Sequence, residues 1–331
     1  MKSSDTLLLT RREVAKLLSM EECIDAVEQA FKLYATGEAQ PPGTLGIHAA
    51  QGVFHIKAGI MNLGKSYFVA KTNANFPNNK KQYGLPTIQG IIVMSDAKNG
   101  RLLALMDANE ITILRTAAAT AVAAKYLSRP DSKIATIIGC GNQGRASLQA
   151  LLQVRNLEKI YAYDMDEALA KHYAEEFSRI FNIDIISVND FSKITLESDI
   201  CVTCTPSKQA FLKPEHIEPG TFIAAVGADN EDKQELQSSL LASNKVVVDI
   251  IEQCANMGEL HHALEKDVMK KENVHAELGQ IIAGQKIGRA SDDEIIIFDS
   301  TGMALQDVAA AAIVYEKAVQ QIGLMQLNFG A

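Results

Sequence analysis

Gly139-Cys140-Gly141-Asn142-Gln143-Gly144 sets three glycines in the pattern G-x-G-x-x-G, directly after the apolar pair Ile137-Ile138. Each glycine has its own task in a dinucleotide-binding turn. The first permits the tight turn, the second lets backbone approach a pyrophosphate, and the third packs helix on strand. A helix starting there offers free N–H groups and a positive dipole end to phosphates. The next apolar run ends in Tyr161-Ala162-Tyr163-Asp164, so an acid stands 25 residues past Gly139. A carboxylate at that place accepts both ribose hydroxyls and repels a 2′-phosphate, which favours NAD over NADP. The plain alternative, a glycine-rich turn without a cofactor, fits this strand–turn–helix–strand context poorly.

A dinucleotide fold does not name a reaction. Three polar residues stand out against apolar surroundings. Lys71, in Phe68-Val-Ala-Lys-Thr-Asn-Ala-Asn75, lies near a strand end. It suits a substrate carboxylate or, once partly desolvated, a moving proton; the plain reading is a solvated lysine. Arg115 sits in Ile113-Leu-Arg-Thr-Ala-Ala-Ala119, where burying it unpaired is costly and its planar fork suits a carboxylate. A structural ion pair is the plain reading. Asp229 ends Ala225-Val-Gly-Ala-Asp229, just past an apolar strand whose carboxyl end should face a ligand crevice; a helix cap is the plain reading. Period two also puts His55 and Lys57 on one face of a strand, lining either a polar pocket or solvent.

Other candidates carry less. His261, His262 and Glu265 offer a His/Glu pair one helical turn apart without an evident third ligand, so a solvated helix face is preferred and no metal is expected. Five scattered cysteines form no disulfide framework. Cys201 and Cys204 are three apart on an apolar strand, hence on opposite faces, and read as small buried residues.

The elements that hold these residues fall into two patterns. Ser19-Met-Glu-Glu22 is a capping box that opens a helix through Ile24, Val27, Phe31 and Tyr34 to near Gly37. Strands follow at 52–61, 67–73, 87–95 and 102–107, with Asp96–Gly100 as a turn, and then an Ala-rich helix at 109–127. After Ser128-Arg-Pro-Asp131 strands and helices alternate: strands at 133–138, 159–164, 184–188, 200–204, 222–226, 246–249 and 294–300, with helices at 143–154 and 165–181. That alternation implies βαβ units on a parallel sheet. A last helix is expected at 303–322.

At 331 residues the chain is long enough for two domains with full cores. Hydrophobic residues make up 47% and charged residues 22%, which excludes a disordered or collagen-like chain. A net charge of −8, with no basic recognition helix, argues against nucleic acid or an anionic membrane as partner. No apolar run reaches membrane-spanning length and the N-terminus lacks a signal-peptide core, so a cytoplasmic protein is expected.

Lys71 with its Asn-rich loop, Leu85-Pro-Thr87, Met106-Asp-Ala108, Leu114-Arg-Thr-Ala-Ala118, Ile138-Gly-Cys-Gly-Asn-Gln143, Val226-Gly-Ala-Asp229, His275-Ala-Glu-Leu-Gly279 and Phe298-Asp-Ser-Thr-Gly302 occur in one order along nearly the whole chain. In this the sequence resembles the ornithine cyclodeaminase/mu-crystallin family, and within it the archaeal-type alanine dehydrogenases. The resemblance implies an α/β protein: a Rossmann NAD-binding domain (128–302) and a discontinuous α+β domain (1–127 plus 303–331) that binds a small amino or imino acid and forms a homodimer. It implies Lys71 and Asp229 as the catalytic pair and Arg115 as a carboxylate ligand. His55 and Lys57 would then face substrate. Gly139, Gly141, Asn142, Gln143, Gly144, Asp164, Thr116, Thr205, Val226 and Gly227 would contact the cofactor. The implied chemistry is hydride transfer at an α-carbon: alanine dehydrogenase-like, with cyclodeamination of ornithine, reduction of a cyclic ketimine, or non-catalytic ligand binding as alternatives. His55 stands where the alanine enzymes carry arginine and the ornithine enzymes an acid; with Lys57 this departure counts against ornithine and equally against a strict alanine assignment, and favours a neutral or anionic substrate tail held by Lys57 or His55.

Overall fold

The computed structural model describes residues 5–329. The elements run β1 (Thr6–Leu9), α1 (Arg11–Leu17), α2 (Met20–Ala35), β2 (Gly43–Ala49), β3 (Gly52–Asn62), β4 (Ser66–Asn75), α3 (Asn79–Tyr83), β5 (Ile88–Asp96), β6 (Leu102–Asp107) and α4 (Ala108–Leu127). Next come β7 (Ile134–Ile138), α5 (Asn142–Val154), β8 (Lys159–Tyr163), α6 (Glu167–Phe181), β9 (Asp184–Ser187), β10 (Ile200–Thr203) and β11 (Phe222–Ala225). Then follow α7 (Ser238–Ala242), β12 (Lys245–Val248), α8 (Ile251–Cys254), α9 (Glu259–Glu265), β13 (Ala276–Glu277), α10 (Leu278–Ile282) and β14 (Ile296–Asp299). The chain closes with α11 (Ala304–Ala318) and β15 (Gln326–Leu327). Two compact units result: residues up to Arg115 together with those from Met303 onward, and Thr116–Gly302. The division falls inside α4, not after it at 127/128 as the sequence suggested, because a long helix gives no compositional break at the point where its neighbours change.

The first unit is a seven-stranded sheet in the order β15-β1-β6-β5-β4-β3-β2, antiparallel except for β1 beside β6. Its register fixes one polar row. Lys57 pairs with Lys71, and His55 with Asn73, so all four side chains share a face. Helix α11 is buried almost all round, and its alanines let it lie close to its neighbours. Gly59 of β3 makes room for it: a Cβ there would sit 2.9 Å from Leu305 Cδ2. The opposite face of the sheet is apolar and open, with Leu45 54%, Ile47 49%, Phe54 39% and Ile91 44% exposed.

The second unit is an eight-stranded parallel sheet in the order β13-β12-β14-β11-β10-β7-β8-β9. Chain order reverses at β7, whose neighbours are β8 on one side and β10 on the other. This is the switch point of a doubly wound sheet, and ligands enter at the carboxyl ends there. Gly139 follows β7 and Thr205 follows β10, so both stand at that edge.

Both N-terminal helices carry reciprocal capping boxes, Thr10 with Glu13 and Ser19 with Glu22. The second was expected; α1, β1 and β2 were not read from sequence. The last helix ends at Ala318, short of 322. All five cysteines are free, and burial raises the thiols of Cys201 and Cys204 far above their ordinary range. Among the described residues no helix is long and apolar enough to cross a membrane.

Candidate active site

Lys71 lies in the body of β4 and is 2% exposed, not at a solvated strand end. Its Nζ donates to Asp307 Oδ1 at 2.8 Å and to Thr112 Oγ1 at 3.2 Å. Asp307 comes from α11, and the same Oδ1 sits 3.2 Å from Arg115 Nε. Arg115 Nη1 donates to Gln306 Oε1 at 3.0 Å. Arg115, Asp307 and Gln306 are all buried. One carboxylate thus lies between two cations, and Lys57, also buried, sits across from Lys71 in the ladder.

Burial is the largest influence on Lys71 and lowers its pKa to about 7; Asp307 pulls it up, while Arg115 and Lys57 push it further down. Burial alone would raise Asp307, but Lys71, Arg115 and Lys57 outweigh it and hold the carboxyl below its usual range. At neutral pH Lys71 is therefore poised to hold or release a proton, and Asp307 stays ionised. Gln306 Nε2 is buried without a hydrogen-bond acceptor among the described residues, while Arg115 Nε faces Asp307 Oδ1 at 3.2 Å.

In the second unit the glycine turn has the geometry its spacing suggests. Gly139 has φ +107°, and a Cβ there would lie 2.9 Å from Cys204 O. At Gly144 a Cβ would meet Gly139 O at 2.0 Å, so α5 packs on the turn only through glycine. At Gly141 a Cβ would enter open space. Asn142 and Gln143 form the first turn of α5. Asp164 follows β8 and is tied to this turn: Oδ2 accepts Cys140 N–H at 2.8 Å, and Oδ1 accepts Asp166 N–H at 3.0 Å. Those bonds orient the carboxylate and leave lone pairs for hydroxyl donors.

Thr205 lies past the carboxyl end of β10; Val226 and Gly227 lie past that of β11. Thr116 is buried in α4. Asp229 caps no helix. Its Oδ1 accepts from Lys233 Nζ at 2.6 Å with the Asp229 side chain 44% exposed, and a pair so open to water is worth at most about 1 kcal/mol.

The structure therefore gathers Lys57, Lys71 and Arg115 in one unit, with His55 on the same strand face, and the glycine turn with Asp164 in the other. Sequence reasoning missed Asp307, Gln306 and Lys233. The one available signal for Asp307 was an acid inside an alanine-rich apolar helix. His261, His262 and Glu265 come closer than a simple pair: their ligand atoms lie within 4.8 Å of one another. His262 Nε2 bonds Lys233 O at 2.8 Å, His261 Nδ1 bonds Ala255 O at 3.3 Å, and Glu265 is largely exposed.

The model of the ornithine cyclodeaminase/mu-crystallin family matches residues 4–321. An alanine dehydrogenase of Archaeoglobus fulgidus is 42% identical over 321 residues, 96% of each chain. The solved structure of an archaeal alanine dehydrogenase dimer with bound NAD superposes with a TM-score of 0.93 at 40% identity, covering 98% of this chain and 99% of that one. The Thermococcus litoralis Δ1-pyrroline-2-carboxylate reductase, solved with NADH and L-proline, gives 0.91 at 38% identity over 95% and 98%.

Proposed function

The chain belongs to the ornithine cyclodeaminase/mu-crystallin family, and from that membership we propose that it is an NAD-dependent oxidoreductase acting at the α-carbon of a small amino or imino acid. The favoured reaction turns amino acid, NAD and water into keto acid, ammonia, NADH and a proton. The observation that carries this reading is the buried group of Lys71, Asp307 and Arg115. Two cations share one buried carboxylate, which neutralises only one of them, and the remaining positive charge suits the α-carboxylate of a small substrate.

The glycine turn fits a dinucleotide: open space at Gly141 admits a pyrophosphate, and Asp164 faces the turn as a ribose acceptor. When bound, NAD supplies the hydride acceptor. Arg115 and Lys71 hold and orient the carboxylate. Lys71 Nζ, with its pKa near 7, also carries a proton to or from the reacting group. Asp229 is assigned as acid/base toward the substrate nitrogen or attacking water. Lys57 disfavours ornithine, because its charge at about 4 Å from a second ammonium costs about 4 kcal/mol at an effective dielectric near 20.

NADH absorbance tests the reading, with NAD paired to L-amino acids and NADH paired to keto acids plus ammonia or to cyclic imines. Sustained NADH formation from alanine or a similar small amino acid, with ammonia released, is expected. NADH oxidation by pyrroline-2-carboxylate without ammonia would reassign the chain to imine reduction, the activity named for its Thermococcus relative. NADH binding without any turnover would overturn the enzymatic reading. Asp164→Ser should weaken NAD about tenfold or more, since bonds to a charged acceptor are worth about 1.5–3 kcal/mol, and should weaken NADP far less. Titration of NADH fluorescence against NADPH fluorescence measures both.

A second copy of the chain is the partner assigned to the open apolar face of Leu45, Ile47, Phe54 and Ile91. Ile47→Asp would bury an unpaired carboxylate there, at a penalty of several kcal/mol. Sedimentation should then show a monomer where the unchanged protein runs as a dimer.

A further inference from the structure

Glu235 lies in the segment between Asp229 and α7 and is fully buried. Its carboxylate accepts four hydrogen bonds. Oε1 takes Thr205 N–H at 2.6 Å and Thr205 Oγ1 at 2.7 Å. Oε2 takes Thr203 Oγ1 at 2.8 Å and Gly227 N–H at 2.9 Å. Thr203 and Thr205 belong to the end of β10 and its following loop, and Gly227 to the loop after β11. A Cβ on Gly227 would lie 2.4 Å from Oε2, so only glycine lets that backbone close on the carboxylate. Glu235 is held in turn by a second buried carboxylate. Glu259, at the start of α9, accepts Glu235 N–H at 2.7 Å and Leu236 N–H at 3.0 Å.

Two of the four donors to Glu235 are backbone N–H groups, which cannot accept. A carboxylate therefore satisfies all four, whereas an amide would turn donors toward donors. Burial raises the Glu235 carboxyl above its ordinary value, and its bonds to Thr205, Thr203 and Gly227 oppose that. Such bonds join two adjacent strand ends at the edge where a doubly wound sheet receives its ligand.

We propose that Glu235 is a positioning residue for the nicotinamide cofactor: it fastens the loops after β10 and β11, and with them Thr205, Val226 and Gly227, in the arrangement that grips the dinucleotide. This rests on the proposed NAD binding and extends it to a residue that touches no ligand itself.

The experiment compares full-length protein with Glu235→Gln by NADH fluorescence titration, thermal melting and steady-state kinetics. Wild-type titration comes first; absence of NADH binding there would defeat the cofactor reading and the proposal with it. Given wild-type binding, Glu235→Gln should raise the NADH Kd and the KM for NAD by roughly tenfold or more. The KM for the organic substrate should change less than the KM for NAD, because Lys71 and Arg115 are untouched, while kcat falls as far as Asp229, in the loop after β11, is displaced. A merely structural role would lower the melting temperature and the active fraction while the folded fraction bound NADH normally. An NADH Kd within about twofold of wild type in folded Glu235→Gln therefore overturns the proposal. Should that variant not fold, Thr203→Val removes one donor and keeps the carboxylate. It should raise the NADH Kd roughly threefold, and an unchanged Kd there is equally decisive.

Discussion

Lys71→Met is expected to lower kcat/KM by roughly a thousandfold, the middle of the range for a positioned proton carrier. Methionine matches the unbranched stem and deletes the ammonium, so packing around β4 is kept. The loss has two parts: a proton carrier with a pKa near 7 disappears, and Arg115 is left to hold the substrate carboxylate without it. NADH affinity should be unchanged, since the glycine turn and Asp164 belong to the other unit. Measuring NADH Kd beside kcat/KM checks both halves. Near-normal turnover in the variant would remove Lys71 from the chemistry.

Asp307→Asn should be nearly as damaging, by about a hundredfold or more in kcat/KM, which is about 2.7 kcal/mol of barrier. Asp307 Oδ1 serves Lys71 and Arg115 together, so its loss frees both cations from the geometry that aims them. The pH profile gives the sharper signature. Amino-acid oxidation needs Lys71 neutral to accept a proton, with Arg115 then carrying the positive charge on the carboxylate, so kcat/KM in the unchanged protein should rise through about pH 7 and level off above it. Asp307 pulls the Lys71 pKa up; without it Arg115 and Lys57 act unopposed, and the rising limb should move to lower pH. A limb that stayed in place, or moved to higher pH, would show that another group titrates.

The glycine turn and its tie to Asp164 were legible because their information is local. Three glycines, a strand before them and an acid after the next strand lie within one βαβ stretch, and each acts through its own backbone or side chain. The buried cluster of Lys71, Arg115 and Asp307 was half legible. Lys71 and Arg115 stood out as charges among apolar neighbours, but sequence did not show that they meet. Their meeting depends on Asp307, which reads locally as an acid in the first turn of α11, where the helix dipole alone would favour it. Glu235 gave no signal, because its meaning lies in donors from two strand ends that only the folded sheet sets side by side. β1 was missed for a simpler reason: Thr6–Leu9 is too short to show a period, and its partners β6 and β15 come from far along the chain.

The route of α11 has a consequence for how the protein is made. Asp307 follows Lys71 by 236 positions, and the whole of Thr116–Gly302 is translated between them. When the first 115 residues leave the ribosome, the carboxylate that Lys71 and Arg115 share does not yet exist. Drying that face of the sheet would then strand buried cations, at several kcal/mol each. Only the emergence of α11 supplies both the apolar cover and the missing charge. A chain cut short before Asp307 lacks the carboxylate that Lys71 and Arg115 share, and leaves β3 and β4 without the helix that packs on them.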